Sequence, residues 1–334
     1  MSEKKHILRA RSSTDLIAMV PYLVGYQPDH HVVIVGLDEA TDRMKATACV
    51  PLLPAGSEDT DRLASVATAR LAQAEVTGAY VVAYGDGTDA TPQVDVCLTE
   101  LRTNRIHIRD ALRVADGRYW SYLCVDPDCC PPEGKPFDPA ASALPAAATS
   151  FGLAPFPSRA ALAESITPVQ GAARNAMSEA TATAKELING AYAVASGRAR
   201  DEHRRATYRF LRHAADRYAN GDVIDDVQAA VLSVMLRDRR IRDEAVKLVA
   251  HEDTEAYIAL WTDLARRAEP PYRVPVLTLL GFSSWRTGNA SLANIAIEQA
   301  TTAEPHYRLA QLLADALACG LNGRTVDVPK PTAQ

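Results

Sequence analysis

Two textures of hydrophobic patterning divide the chain. Up to about residue 125, short β-branched runs alternate with helical patterns, whereas beyond about residue 158 only helical patterns remain. Ser12, Ser13, Thr14 and Asp15 offer cap hydroxyls and an early negative charge to a helix through Val24, which Gly25 is placed to end. Pro28 and Asp29 then turn the chain into His31 to Leu37, a continuous apolar run that predicts a strand buried on both faces. The link from Asp38 to Arg43 is too short for a crossover, so the strand over 44–50 should return antiparallel. A helix over 57–75, a strand over 79–84, a helix over 93–103 and a strand from Ile106 follow. Asp116-Gly117 is the strongest hairpin signal and leads into Tyr119 to Leu123. The predicted fold class is α/β, with order β-β-α-β-α-β-β after an opening helix. The sheet is mixed, parallel at its centre and closed by a hairpin at each end; its strand order is not specified.

In the second half Val227, Ala230, Val231, Val234 and Met235 form one helical stripe after the cap residues Asp225 and Asp226. Thr254, Tyr257, Ile258, Trp261, Leu264 and Ala265 form another, capped by Asp253 and stopped before Pro270-Pro271. Helices are also expected over 198–218, 274–287, 289–303 and 306–319. Trp285-x-x-Gly288-Asn289 with Ala293, Ala296, Ala300 and Pro305 has the core spacing of a tetratricopeptide repeat, where small residues let neighbouring helices approach. It covers one repeat near 274–319, and an ordinary helical hairpin explains the same alanines. The expected organisation is an α/β domain over 1–125, a connecting segment over 126–160, an all-helical tetratricopeptide-like domain over 161–322 and a frayed tail over 323–334. The connector stands out because eight of 20 prolines and three of six cysteines lie between residues 124 and 157.

Composition narrows the class without naming a reaction. The 334 residues suggest two domains at roughly 100–200 residues each. With 47% apolar and 23% charged residues the chain can build ordinary cores, and its net charge of −5 argues against general nucleic-acid binding. No uncharged apolar run is long enough to span a membrane, and Met1 to His6 followed by Arg9 and Arg11 leaves no room for a secretory h-region. A cytoplasmic protein is expected, with its cysteines as thiols or ligands rather than a disulfide scaffold.

The densest chemistry lies in Trp120 to Gly134. Cys124, Cys129 and Cys130 could hold a soft cation such as zinc, with His107 or Asp126 completing the shell, while Trp120, Tyr122 and Asp126 line the loop. A reversible Cys124–Cys129 disulfide is a second reading, and a purely structural loop with thiols as small hydrophobes a third. Gly85-Asp86-Gly87 follows a strand and precedes a helix, where open α/β sheets bind ligands, but it carries no phosphate-loop pattern, and a tight β-to-α turn that needs positive φ is the favoured explanation over a ligand loop. His30 and His31 point to opposite faces of a strand and cannot share a metal. The arginines between 198 and 217 make a local basic face, either solvated or open to an acidic partner.

Several blocks resemble a known family. Pro21-Tyr22-Leu23-Val24-Gly25-Tyr26-x-Pro28, Tyr80 to Asp86, Trp120-Ser121-Tyr122 through Cys129-Cys130-Pro131-x-x-Gly134, Pro139 to Ser142, and Leu277 to Phe282 through Gly288 occur in the order found in the actinobacterial domain of unknown function family number 4192. His30-His31 departs from the small polar residue associated with that position. The resemblance, over about residues 8–322, implies a bacterial intracellular protein whose halves are inherited together, and it carries no catalytic residue. The expected function is a non-enzymatic interaction or regulatory protein that binds a protein partner through its helical half. The alternative is a metal-binding or thiol-redox protein centred on Cys124, Cys129 and Cys130.

Overall fold

A computed structural model describes residues 8–194 and 197–331. The reading of Met1 to His6 therefore lies outside the described residues, as does the tail beyond residue 331. The chain forms two compact units, one of Met1–Arg159 with Cys319–Leu321 and one of Ala160–Ala318 with Asn322–Gln334. No described helix is long and apolar enough to cross a membrane.

The first unit opens with α1 (Ser13–Val24), capped by the Ser12 side chain and ended at Gly25. It continues through β1 (His31–Asp38), β2 (Arg43–Pro51), α2 (Asp59–Gln73), β3 (Gly78–Tyr84), α3 (Gly87–Thr103), β4 (His107–Ala115), β5 (Arg118–Ser121), β6 (Lys135–Pro136) and α4 (Leu144–Ser150). The sheet order is β2-β1-β3-β4-β5-β6. Only β3 and β4 pair in parallel; all other neighbours are antiparallel. The expected mixed sheet is thus present, with hairpins β1–β2 and β4–β5 flanking the β3–β4 centre. Asp116 and Gly117 both take positive φ, 50° and 69°, as the two-residue hairpin turn demands. β1 is interior because α2 carries the chain across it, and its six central residues are buried. Val32, Ile34, Val81 and Ala83 pack on one face with Leu71, Val94, Cys97, Leu98 and Leu101 of α2 and α3. On the other face Tyr84 donates its hydroxyl to Ile17 O at 3.5 Å. That carbonyl lacks a helical donor because Pro21, four residues on, has no N–H.

The proline- and cysteine-rich segment does not stand apart as a connector. β6 adds an edge strand to β5, Tyr26 bridges Phe156, and the division between units falls after Arg159. Proline is tolerated at this edge because no further strand needs its missing donor.

The second unit contains α5 (Arg159–Glu164), α6 (Gly171–Val194), α7 (Gly197–Ala219), α8 (Asp226–Met235), α9 (Arg239–His251), α10 (Thr254–Arg267), α11 (Arg273–Thr287), α12 (Ala290–Ala303) and α13 (Arg308–Ala318). Asp225 and Gln228 form a reciprocal capping box on α8. The stripe expected there is rotated, since Val227 is exposed and Val231 and Val234 only half-buried, while Ala229, Ala230, Leu232 and Ser233 are buried. Close approach to neighbouring helices selects the small residues for the inside. In the α11–α12 hairpin, Ala293, Ala296 and Ala300 are fully buried, and a Cβ on Gly281 would lie 2.6 Å from Ile297 Cδ1. The tail is not frayed at its start. Arg286 Nη1 donates to Gly323 O at 2.9 Å and Val326 O at 2.8 Å, and His251 Nε2 bonds Val328 O at 2.8 Å.

Candidate functional site

The cysteine loop is built outward from the end of β5. Ser121 Oγ donates to Asp110 Oδ1 at 3.0 Å and accepts the N–H groups of Leu123 and Cys124, each at 3.2 Å. Asp110 also receives the Ala111 N–H and the Ser13 hydroxyl. This small network ends the strand and aims Cys124 into the loop. Asp126 then folds the segment back, its Oδ1 accepting the Asp128 N–H at 2.9 Å and its carbonyl accepting the Cys130 N–H at 2.6 Å. The result gathers the sulfurs of Cys124, Cys129 and Cys130 within 4.8 Å of one another. No other group of three or more metal-ligating side chains is as close among the described residues.

The far side of the loop is braced by Trp120. Arg113, its direct cross-strand partner, places its guanidinium 3.6 Å from the ring centroid, and Trp120 Nε1 donates to Pro132 O at 2.8 Å. Gly134 lies against the indole at φ 78°; a Cβ there would sit 2.7 Å from Cζ2 and closer still to Cε2. Arg118 donates to Gly134 O at 2.8 Å, and Lys135 Nζ lies 3.6 Å from Cys129 Sγ.

The thiols are unequal. The hydrogen bond between Cys130 and Cys124 holds the Cys124 thiol below its ordinary range, aided by the Asp126 N–H. The same bond pushes Cys130 up to about 11. Cys129 is exposed, and Cys124 and Cys130 are half-buried. Cys97 makes the contrast: it is fully buried in the core, and burial raises its thiol to about 12. Burial likewise raises Cys49, whose sulfur meets Tyr26 Oη at 3.2 Å.

Of the residues expected here, Cys124, Cys129 and Cys130 come together, while Trp120 and Asp126 shape the loop. Asp126 supplies turn hydrogen bonds and is outside the close sulfur group. Tyr122 is engaged elsewhere, its hydroxyl 3.2 Å from Thr91 Oγ1. His107 does not join: it opens β4, where its Nδ1 lies 2.6 Å from Glu39 Oε1. The expectation that it completes the metal shell is corrected on this ground. Gly85-Asp86-Gly87 is a helix start, with the Asp86 carboxylate accepting the Thr88 and Asp89 N–H groups at 2.7 and 3.4 Å. Those bonds hold Asp86 below the usual carboxylate range and fill the donors that an anion would use. Asp110, Arg113 and Lys135 carry no sequence signal of their own; the β4–β5 pairing brings Asp110 and Arg113 to the loop, while Lys135 follows it six residues after Cys129.

The fold and loop define a class: a mixed α/β unit followed by a helical unit, with a three-thiol cluster on the first. The chain belongs to the family described as domain of unknown function (DUF4192), whose model matches residues 14–323. No curated protein and no solved structure matches it.

Proposed function

We propose that this chain is a non-enzymatic bacterial cytoplasmic protein whose Cys124, Cys129 and Cys130 thiolates bind one soft cation, zinc. The observation that carries the reading is the mutual approach of three sulfurs within 4.8 Å on a seven-residue stretch. A tetrahedron with zinc–sulfur bonds of about 2.3 Å has edges of about 3.8 Å, so closing the site takes only small side-chain movements. A structural role as apolar filler fits Cys97 in its core but not this loop, where none of residues 123–130 is buried. Three thiolates leave the fourth position to water. Lys135 beside Cys129 offsets the excess negative charge of such a site. Elemental analysis with thiol titration tests the reading. Wild-type protein should retain about one zinc per chain and the triple Cys→Ser variant none; three freely reacting thiols and no metal in the wild type would refute it.

A second reading, partner binding by the helical unit, is favoured by an apolar cleft of about 310 Å³ lined by Leu187, Ile188, Ala206, Phe210, Val231 and Met235. Leu187 is 62% exposed there. Such a groove suits the apolar face of a partner helix. Leu187→Asp should abolish capture of a partner that the wild type retains, with unchanged melting; capture unaffected by it would count against this surface.

A further inference from the structure

We infer that the cluster is a peroxide-gated metal switch, in which Cys129 is the sulfur oxidised first and Cys124 the one that closes the disulfide. This rests on the metal-binding reading above and adds how the site is emptied. Access selects Cys129: it is the exposed member of the three, while Cys124 and Cys130 are half-buried. Lys135 Nζ, 3.6 Å from its sulfur, places a cation where a negatively charged oxygen departs. Connectivity selects Cys124 as partner. Cys129 and Cys130 are adjacent, so a disulfide between them would strain the planar trans peptide that joins them. Cys124 reaches Cys129 across a turn already closed by the Asp126 and Cys130 backbone groups.

The chemistry balances with a hydroperoxide as oxidant. The Cys129 thiolate attacks the terminal peroxide oxygen; a sulfur–oxygen bond forms, the oxygen–oxygen bond breaks, and the leaving oxyanion takes a proton from water to become alcohol or water. The Cys124 thiolate then attacks the Cys129 sulfur; the disulfide forms, the sulfur–oxygen bond breaks, and hydroxide leaves and is protonated. Two thiolates lose two electrons to the peroxide, and Cys130 alone cannot retain zinc.

The test uses the full chain loaded with zinc, treated with hydrogen peroxide, and read by a chromogenic zinc indicator, thiol count and mass. Each zinc released should accompany the loss of two thiols, and dithiothreitol with added zinc should restore both. Acid cleavage at Asp126-Pro127 and Asp138-Pro139 should leave the fragment of residues 127–138 joined to that of residues 1–126 until reduction, in Cys130→Ser as in the wild type, and Lys135→Met should slow release several-fold. Zinc that stays bound through peroxide treatment, or leaves only with sulfinic or sulfonic acid formation, would overturn the switch and leave the metal site standing. A chain that takes up no zinc would overturn both.

Discussion

Replacing Gly134 by alanine tests whether the indole of Trp120 braces the cysteine loop. Two costs add at this position. An L residue at φ 78° pays about 1–2 kcal/mol for the left-handed backbone. Its Cβ would also overlap the ring, 2.7 Å from Cζ2, and relief requires Trp120 to shift from Pro132 O and the Arg113 guanidinium. Overpacking of this kind costs about 1–3 kcal/mol. Gly117→Ala is the internal control, because it has φ 69° and nothing within 4 Å of its Cβ, so it carries the backbone cost alone. Chemical denaturation of both variants should therefore place Gly134→Ala about 1–3 kcal/mol below Gly117→Ala. Zinc affinity, measured by chelator competition, should fall for Gly134→Ala and hold for Gly117→Ala. Equal stabilities within about 0.5 kcal/mol, with equal affinities, would refute the role given to Trp120.

Other elements yield sharper tests of packing and charge. Gln93 is 2% exposed and donates to Pro51 O at 2.8 Å while accepting the Leu53 N–H at 2.9 Å, so Gln93→Leu should cost about 2–4 kcal/mol in urea denaturation through two orphaned backbone groups; a loss below about 0.5 kcal/mol would contradict it. Gly281→Ala should destabilise the α11–α12 hairpin in the wild type but stabilise it once Ile297→Ala has made room, because alanine is the better helix former by about 1 kcal/mol; the same sign in both backgrounds would remove the steric argument. Asp15 is held below its ordinary range, chiefly by the Ser142 hydroxyl at 2.7 Å, then by the Arg11 N–H. A carboxyl lowered on folding adds stability above its unfolded pKa, and that contribution is lost as pH falls through the folded value. The stability gap between wild type and Asp15→Asn should accordingly close as pH drops below about 4, and a gap independent of pH would refute the assignment.

Much of the sheet was legible because its signals are local. The Asp116-Gly117 pair and the short 38–43 link each leave a hairpin as the simple solution. Strand order was not legible, because it depends on where α2 carries the chain; the wholly apolar run of β1 is the one residue-level hint that this strand has neighbours on both sides. α6 is faint in the sequence because the positions it buries, Met177, Ala180, Thr181 and Ala184, are mostly small residues that also suit an exposed segment. The α8 stripe failed for a related reason: side-chain hydrophobicity favoured Val227, whereas close helix packing buried Ala229 and Ser233. At the site, the sulfur positions and Lys135, six residues after Cys129, follow from sequence proximity, but Arg113 reaches the loop only through the β4–β5 register. His107 illustrates the converse, since nothing in its sequence neighbourhood announces the Glu39 carboxylate 2.6 Å away.

X-ray absorption at the zinc edge of the loaded full chain tests the central claim most directly. Three sulfur scatterers at about 2.3 Å and one light scatterer are the expected shell, collapsing in the triple Cys→Ser variant. A shell dominated by nitrogen and oxygen, or one unchanged by that substitution, would contradict a site made by Cys124, Cys129 and Cys130.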